Sequence, residues 1–129
     1  VVGVAHNHSK KYLFSLQERV RLVTDSLAEL GIEGVSVEII PTGVLLAEYA
    51  AQRGASALVK GLRSGTDYGY EAPMASMNRH LSKVETVFLA GEDRYGGVSS
   101  TIIREVASLG GDVRPFVPQV VAHALAQRH

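Results

Sequence analysis

Cysteine is absent from this chain, which excludes disulfides, thiolate metal sites and a nucleophilic thiol, and fits a reducing compartment. An excess of charge of either sign is absent too. Thirteen Lys and Arg face thirteen Asp and Glu, so no diffuse field draws the chain to nucleic acid or to an acidic membrane. Any anion must be held locally. No apolar run approaches transmembrane length, no signal peptide is recognisable, and there is neither an internal repeat nor a low-complexity linker. The expectation is a soluble cytoplasmic protein with no nucleic acid and no membrane among its partners.

What is there suffices for one domain: 129 residues, 46% hydrophobic and 20% charged, can enclose a core. Val1-Val2-Gly3-Val4-Ala5 reads as the middle of a buried strand. Ser15-Leu16-Gln17-Glu18 is a capping box, and Val20, Val23, Leu27 and Leu30 follow at helical spacing to Gly31, predicting a helix over roughly 15–30. Val35 to Ile40 alternates like a strand and stops at Pro41, a second helix runs from Val44 toward Gly54, and a strand over 55–60 delivers the chain to Lys60. Asp67 to Leu81 has helical content. Pro73, however, costs about 3 kcal/mol in a helix interior, so the segment is expected to start or kink there. Glu85 to Ala90 predicts a strand, Gly91 to Gly97 a flexible loop, Ser99 to Leu109 a helix closed by Gly110-Gly111, and Pro118 to Gln127 a last helix. The succession implies an α/β fold with a Rossmann-like, mostly parallel sheet and helices on both faces.

Two short stretches carry the chemistry. Lys60-Gly61-Leu62-Arg63 places two cations around a glycine at the carboxyl end of an apolar strand, where open α/β sheets bind ligands. Ser99-Ser100-Thr101 opens a helix with hydroxyls and unpaired backbone N–H groups, Arg104 within a turn of them. Each also has a structural reading. Cations after a strand are common surface features, and Ser and Thr are preferred N-caps. Between the two, Tyr68 and Tyr70 could border a nucleotide or pack into the core. Three successive hydroxyls after Tyr95-Gly96-Gly97 exceed what a cap needs, and the two stretches together suggest phosphate handling.

The order of residues resembles the bacterial phosphopantetheine adenylyltransferases of the HxGH nucleotidyltransferase superfamily, in an actinobacterial style. The resemblance runs through Ser9-Lys10-Lys11, Phe14-Ser15-Leu16-Gln17-Glu18-Arg19, Val59-Lys60-Gly61-Leu62-Arg63, Asp67-Tyr68, Tyr70-Glu71, Met77-Asn78-Arg79-His80-Leu81, Val98-Ser99-Ser100-Thr101, Glu105-Val106-Ala107 and Gly110-Gly111-Asp112-Val113. It implies transfer of the adenylyl group of ATP to 4′-phosphopantetheine, with Mg²⁺ accompanying ATP and a homo-oligomer, by family habit a hexamer. By matching position, Lys10 is expected on the reacting phosphates and Lys60 on the phosphate of the pantetheine substrate, with Leu46 and Asn78 as further contacts to that substrate. Arg63, with Gly61 and Leu62, is expected on ATP, as are Glu71 and the run Tyr95, Gly96, Gly97, Val98, Ser99, Ser100 and Thr101. Lys10 and Arg63 are the implied catalytic residues. No metal-ligating cluster is expected from the chain's own side chains.

The departures are as informative. The superfamily's histidine signature is not found: His6-Asn7-His8 lacks its glycine, and Asn78-Arg79-His80 belongs to a different motif. The resemblance aligns Val1 with the family's second strand. Residues 1–129 are thus expected to be a single nucleotidyltransferase domain lacking its N-terminal portion, poorly active or inactive alone. Exposed sheet edges are expected with it. Gly69, Ala72 and Gly97 replace larger or acidic residues and are expected to loosen the adenine pocket. A noncatalytic nucleotide-binding or regulatory relative, and a purely structural oligomerisation domain, are the alternatives.

Overall fold

The computed structural model describes residues 1–128. In chain order the elements are β1 (Val2–Ala5), α1 (Leu16–Glu29), β2 (Val37–Ile40), α2 (Leu46–Gln52), β3 (Ala57–Leu62), α3 (Gly65–Ser82), β4 (Glu85–Ala90), α4 (Ser100–Ser108) and α5 (Gln119–Ala126). Strand–helix alternation and parallel pairing are those of an α/β protein, and the described strands form two two-stranded ladders. The chain divides into two compact units, Val1–Thr42 with the segment from Gly97 onward, and Gly43–Gly96.

In the first unit β1 pairs parallel with β2, from Val2 opposite Val37 to Ala5 opposite Ile40. Gly3 leaves room for its neighbour here: a Cβ at that position would stand 2.5 Å from Cδ1 of Ile40, and that side chain would have to shift. Helix α1 packs on both strands. Its start is a completed capping box: the Glu18 N–H donates to Ser15 Oγ at 3.2 Å, and the Ser15 N–H donates to the Glu18 carboxylate at 2.7 Å. Ile103 of α4, Val113 and Leu125 of α5 form the buried cluster, with Leu13, Phe14, Val98 and Val121 packed against it.

The second unit is built on β3 and β4, parallel from Ala57 opposite Glu85 to Leu62 opposite Ala90. Helix α3 packs on both strands and α2 on β3, and the two helices touch each other. Ala47, Ala50, Asn78 and Val84 are buried there, while Val59, Val87 and Leu89 are exposed.

Three expectations are corrected. Strand β3 continues to Leu62, so Lys60, Gly61 and Leu62 are strand residues rather than a loop beyond the strand; backbone pairing to Phe88, Leu89 and Ala90 holds them extended. Helix α3 begins at Gly65 and passes through Pro73. Proline withholds the N–H that the Gly69 carbonyl would accept, but the Ser64 side chain caps the start, Lys83 in a left-handed conformation closes the end, and packing against β3, β4 and α2 outweighs the loss. The segment after β4 contains a short 3₁₀ turn, Asp93–Tyr95, tied by an Arg94–Glu92 ion pair at 2.7 Å.

Candidate functional site

In the second unit the pleat of β3 decides where Lys60 goes. Leu58, Lys60 and Leu62 alternate with the more exposed Val59 and Gly61. Lys60 stands opposite Phe88, whose ring meets Tyr68 of α3 edge to face at 5.4 Å. The lysine therefore shares the α3-covered face, and its Nζ reaches the Glu71 carboxylate of that helix at 3.9 Å. Both side chains keep about a third of their surface in solvent: 36% and 38%. Surface pairing of this kind is weak and yields readily to a stronger anion such as phosphate.

Arg63 leaves the strand end and is organised by Asp67, a residue of the family resemblance that carries no role in the site in the sequence reading. Asp67 accepts the Arg63 backbone N–H at 2.9 Å, lies 3.6 Å from its Nε, and donates its own N–H to Ser64 Oγ at 3.2 Å. The Ser64-Gly65-Thr66-Asp67 spacing of a helix start was the available signal. Of the remaining expected positions in this unit, Leu46 is half-buried at the first turn of α2 and Asn78 is buried in α3. Gly61 is exposed in β3, and Leu62 accepts the Gly91 N–H at its carbonyl. Tyr95 is exposed beneath the Arg94 guanidinium, 4.5 Å from its ring centre, and Gly96 closes the 3₁₀ turn. Tyr70 is 81% exposed, which rules out the core reading for that ring.

In the first unit Ser99 is the N-cap of α4, its side chain accepting the Ile102 N–H at 3.2 Å. One hydroxyl thus caps. Ser100 and Thr101 are exposed beside it, with Arg104 Nη2 3.5 Å from Thr101 Oγ1, while Gly97 is exposed and Val98 half-buried at the core edge. The helix closes as expected: the Gly110 N–H reaches the Ala107 carbonyl and the Gly111 N–H the Val106 carbonyl. Lys10 is exposed in the loop after β1, its backbone N–H donating to the Asn7 carbonyl at 3.0 Å.

Each unit by itself offers groups suited to a phosphate: the second has cations toward the carboxyl end of a parallel strand, and the first has a hydroxyl-rich helix start. Within the second unit the structure brings Lys60 to Glu71 and Arg63 to Asp67. Within the first it gathers Ser99, Ser100, Thr101 and Arg104 on one helix start. Among the described residues no group of three or more His, Asp or Glu side chains is disposed to hold a metal ion, and no helix is long and apolar enough to cross a membrane.

Comparison with known proteins shows the family to which the chain is related. Residues 1–106 match the family model described as cytidylyltransferase-like. The chain is 54% identical over 121 residues to the phosphopantetheine adenylyltransferase of Renibacterium salmoninarum, covering 94% of this chain and 74% of that protein. It is 54% identical over 125 residues to that of Pseudarthrobacter chlorophenolicus, covering 97% and 74%. Identity to the phosphopantetheine adenylyltransferase of Rhodospirillum centenum is 43% over 129 residues, covering 99% and 70%.

Proposed function

We infer the function from kinship and from the placement of the basic residues: this chain belongs to the phosphopantetheine adenylyltransferase family, on a cytidylyltransferase-like fold. Its reaction is adenylyl transfer in coenzyme A biosynthesis. A phosphate oxygen of 4′-phosphopantetheine attacks the α-phosphorus of ATP, the bond from that phosphorus to the bridging oxygen breaks, and dephospho-coenzyme A and pyrophosphate leave. The observation that carries the reading is identity above one half across nearly the whole chain.

The chemistry needs no proton abstraction, because the acceptor is already an anionic nucleophile. It needs neutralisation of two mutually repelling phosphates and alignment of the attack. Lys60 is assigned to the acceptor phosphate and Lys10 to the reacting phosphates. Arg63, with Gly61, Leu62 and Glu71, is assigned to ATP, together with the run from Tyr95 to Thr101. Leu46 and Asn78 are assigned to the pantetheine substrate. The weak carboxylate pairings of Lys60 and Arg63 support these roles, since they orient each cation while leaving it exchangeable. Magnesium enters as MgATP, bound to the substrate's own phosphates. Both units are assigned to one nucleotidyltransferase domain, a reading supported by a family match that includes residues of each. A hexameric assembly and a cytoplasmic location complete the proposal.

The native enzyme, incubated with MgATP and 4′-phosphopantetheine, should release pyrophosphate and form dephospho-coenzyme A in equal amounts, read by coupled assay and mass spectrometry. Thermal stabilisation by ATP without product would instead support a noncatalytic nucleotide-binding relative. Light scattering tests the hexamer.

A further inference from the structure

The loop between β1 and α1 carries Lys10, and its geometry depends on a side chain rooted in α1. The Arg19 guanidinium donates through Nη1 to the Ala5 carbonyl at 2.9 Å, at the point where β1 ends. The central carbon of the same group stands over Tyr12, 4.0 Å from the ring centre. One cation thus grips both ends of the loop 6–11. Arg19 Nε and Nη2 are buried without a hydrogen-bond partner, so that single carbonyl bond and the ring contact are what hold it.

Inside the loop the grip passes inward. Tyr12 Oη accepts the Asn7 N–H at 3.0 Å, and His6 packs on the Tyr12 ring with centres 5.3 Å apart. Asn7 in turn organises the next residues: its Oδ1 accepts from the Ser9 N–H at 2.9 Å and from Ser9 Oγ at 2.7 Å, and its carbonyl accepts the Lys10 N–H at 3.0 Å. From the capped helix α1 to the Lys10 backbone there is therefore an unbroken series of contacts: Arg19, Tyr12, Asn7, Lys10. The Lys10 side chain itself is exposed. Only its root is held.

We propose that Arg19 and Tyr12 are positioning residues that fix the backbone of Lys10, and so aim its ammonium group at the reacting phosphates. The inference rests on the assignment of Lys10 to those phosphates under the proposed function. A flexible lysine on an unrestrained loop would spend little time in the productive arrangement, and small displacements of a charge-stabilising group cost rate more than ground-state affinity.

The test is steady-state kinetics of adenylyl transfer by the native enzyme carrying Tyr12→Phe, Arg19→Lys, Lys10→Ala, and Tyr12→Phe combined with Lys10→Ala. Tyr12→Phe keeps the ring under Arg19 and removes only the acceptor for Asn7, so the protein should stay folded even where Arg19→Lys does not. Expected are a fall in kcat of about tenfold for Tyr12→Phe, KM for both substrates within about twofold of wild type, and no additional loss when Tyr12→Phe is placed on Lys10→Ala. An equal fall from Tyr12→Phe in both backgrounds, or no fall in the wild-type background, overturns the positioning role while leaving the Lys10 assignment standing. An unchanged kcat for Lys10→Ala itself overturns the Lys10 assignment, and this inference with it.

Discussion

Glu29, near the end of α1, accepts the backbone N–H of Gln119 at 2.7 Å with one carboxylate oxygen, while the other accepts that of Val120 at 3.0 Å. Helix α5 begins after Pro118, which has no side-chain acceptor for those donors, so a carboxylate from a sequence-distant helix serves as its cap. Glu29→Ala should lower stability by about 1 kcal/mol, the usual size of a lost cap, and Glu29→Gln by less, since the amide keeps one acceptor. Urea unfolding measures both. Equal midpoints for all three proteins would show that water replaces the carboxylate without loss.

Lys60 and Arg63 should fail in different ways. Lys60→Ala should raise KM for 4′-phosphopantetheine, and Arg63→Ala should depress kcat/KM for ATP, each by about tenfold to a hundredfold. Varying one substrate at a fixed excess of the other separates them. Unaltered kinetics in both variants would be incompatible with the assignment of these cations to the substrates.

Asp112 supplies a pH test. Hydrogen bonds from the Arg114 side chain and backbone, at 2.8 and 3.0 Å, hold its carboxyl down at about 2 against a reference of 3.8. A carboxylate whose folded pKa is depressed stabilises the fold above its unfolded pKa and loses that contribution as pH falls through the folded value. The stability difference between wild type and Asp112→Asn should accordingly be constant at neutral pH and shrink between about pH 4 and pH 2. Chemical unfolding at a series of pH values measures it, and a pH-independent difference would assign the effect to packing.

Pro73 is the clearest local penalty. Replacing it with alanine returns an N–H to α3 and relieves the clash with the preceding turn, so Pro73→Ala should stabilise the protein by about 1–3 kcal/mol. Thermal melting reads the shift. Destabilisation would mean that the surroundings of α3 are shaped to the proline ring.

Most helix boundaries were readable locally because they depend on neighbours in the chain. Ser15 and Glu18 satisfy each other across one turn, and Gly31, Gly54 and Gly110 adopt positive φ values that close α1, α2 and α4. The passage of α3 through Pro73 was not readable, since propensity at one residue opposes it and only packing along the whole helix overrides it. The contact positions were legible as residue types, but their partners were not. Glu71 lies on the helix that follows the strand of Lys60, and nothing in the spacing alone announces that the two side chains meet.

Residue order alone established the strand–helix alternation, the capped ends and the family, because periodicity, glycine conformation and matching motifs are properties of the chain itself. The fold decided the rest: that Lys60 shares a sheet face with the helix bearing Glu71, that Glu29 caps α5, and that Arg19 grips the loop of Lys10. Those relationships join residues through the packing of separate elements, and contacts of that kind arise only once backbone pairing and burial have set the elements against one another.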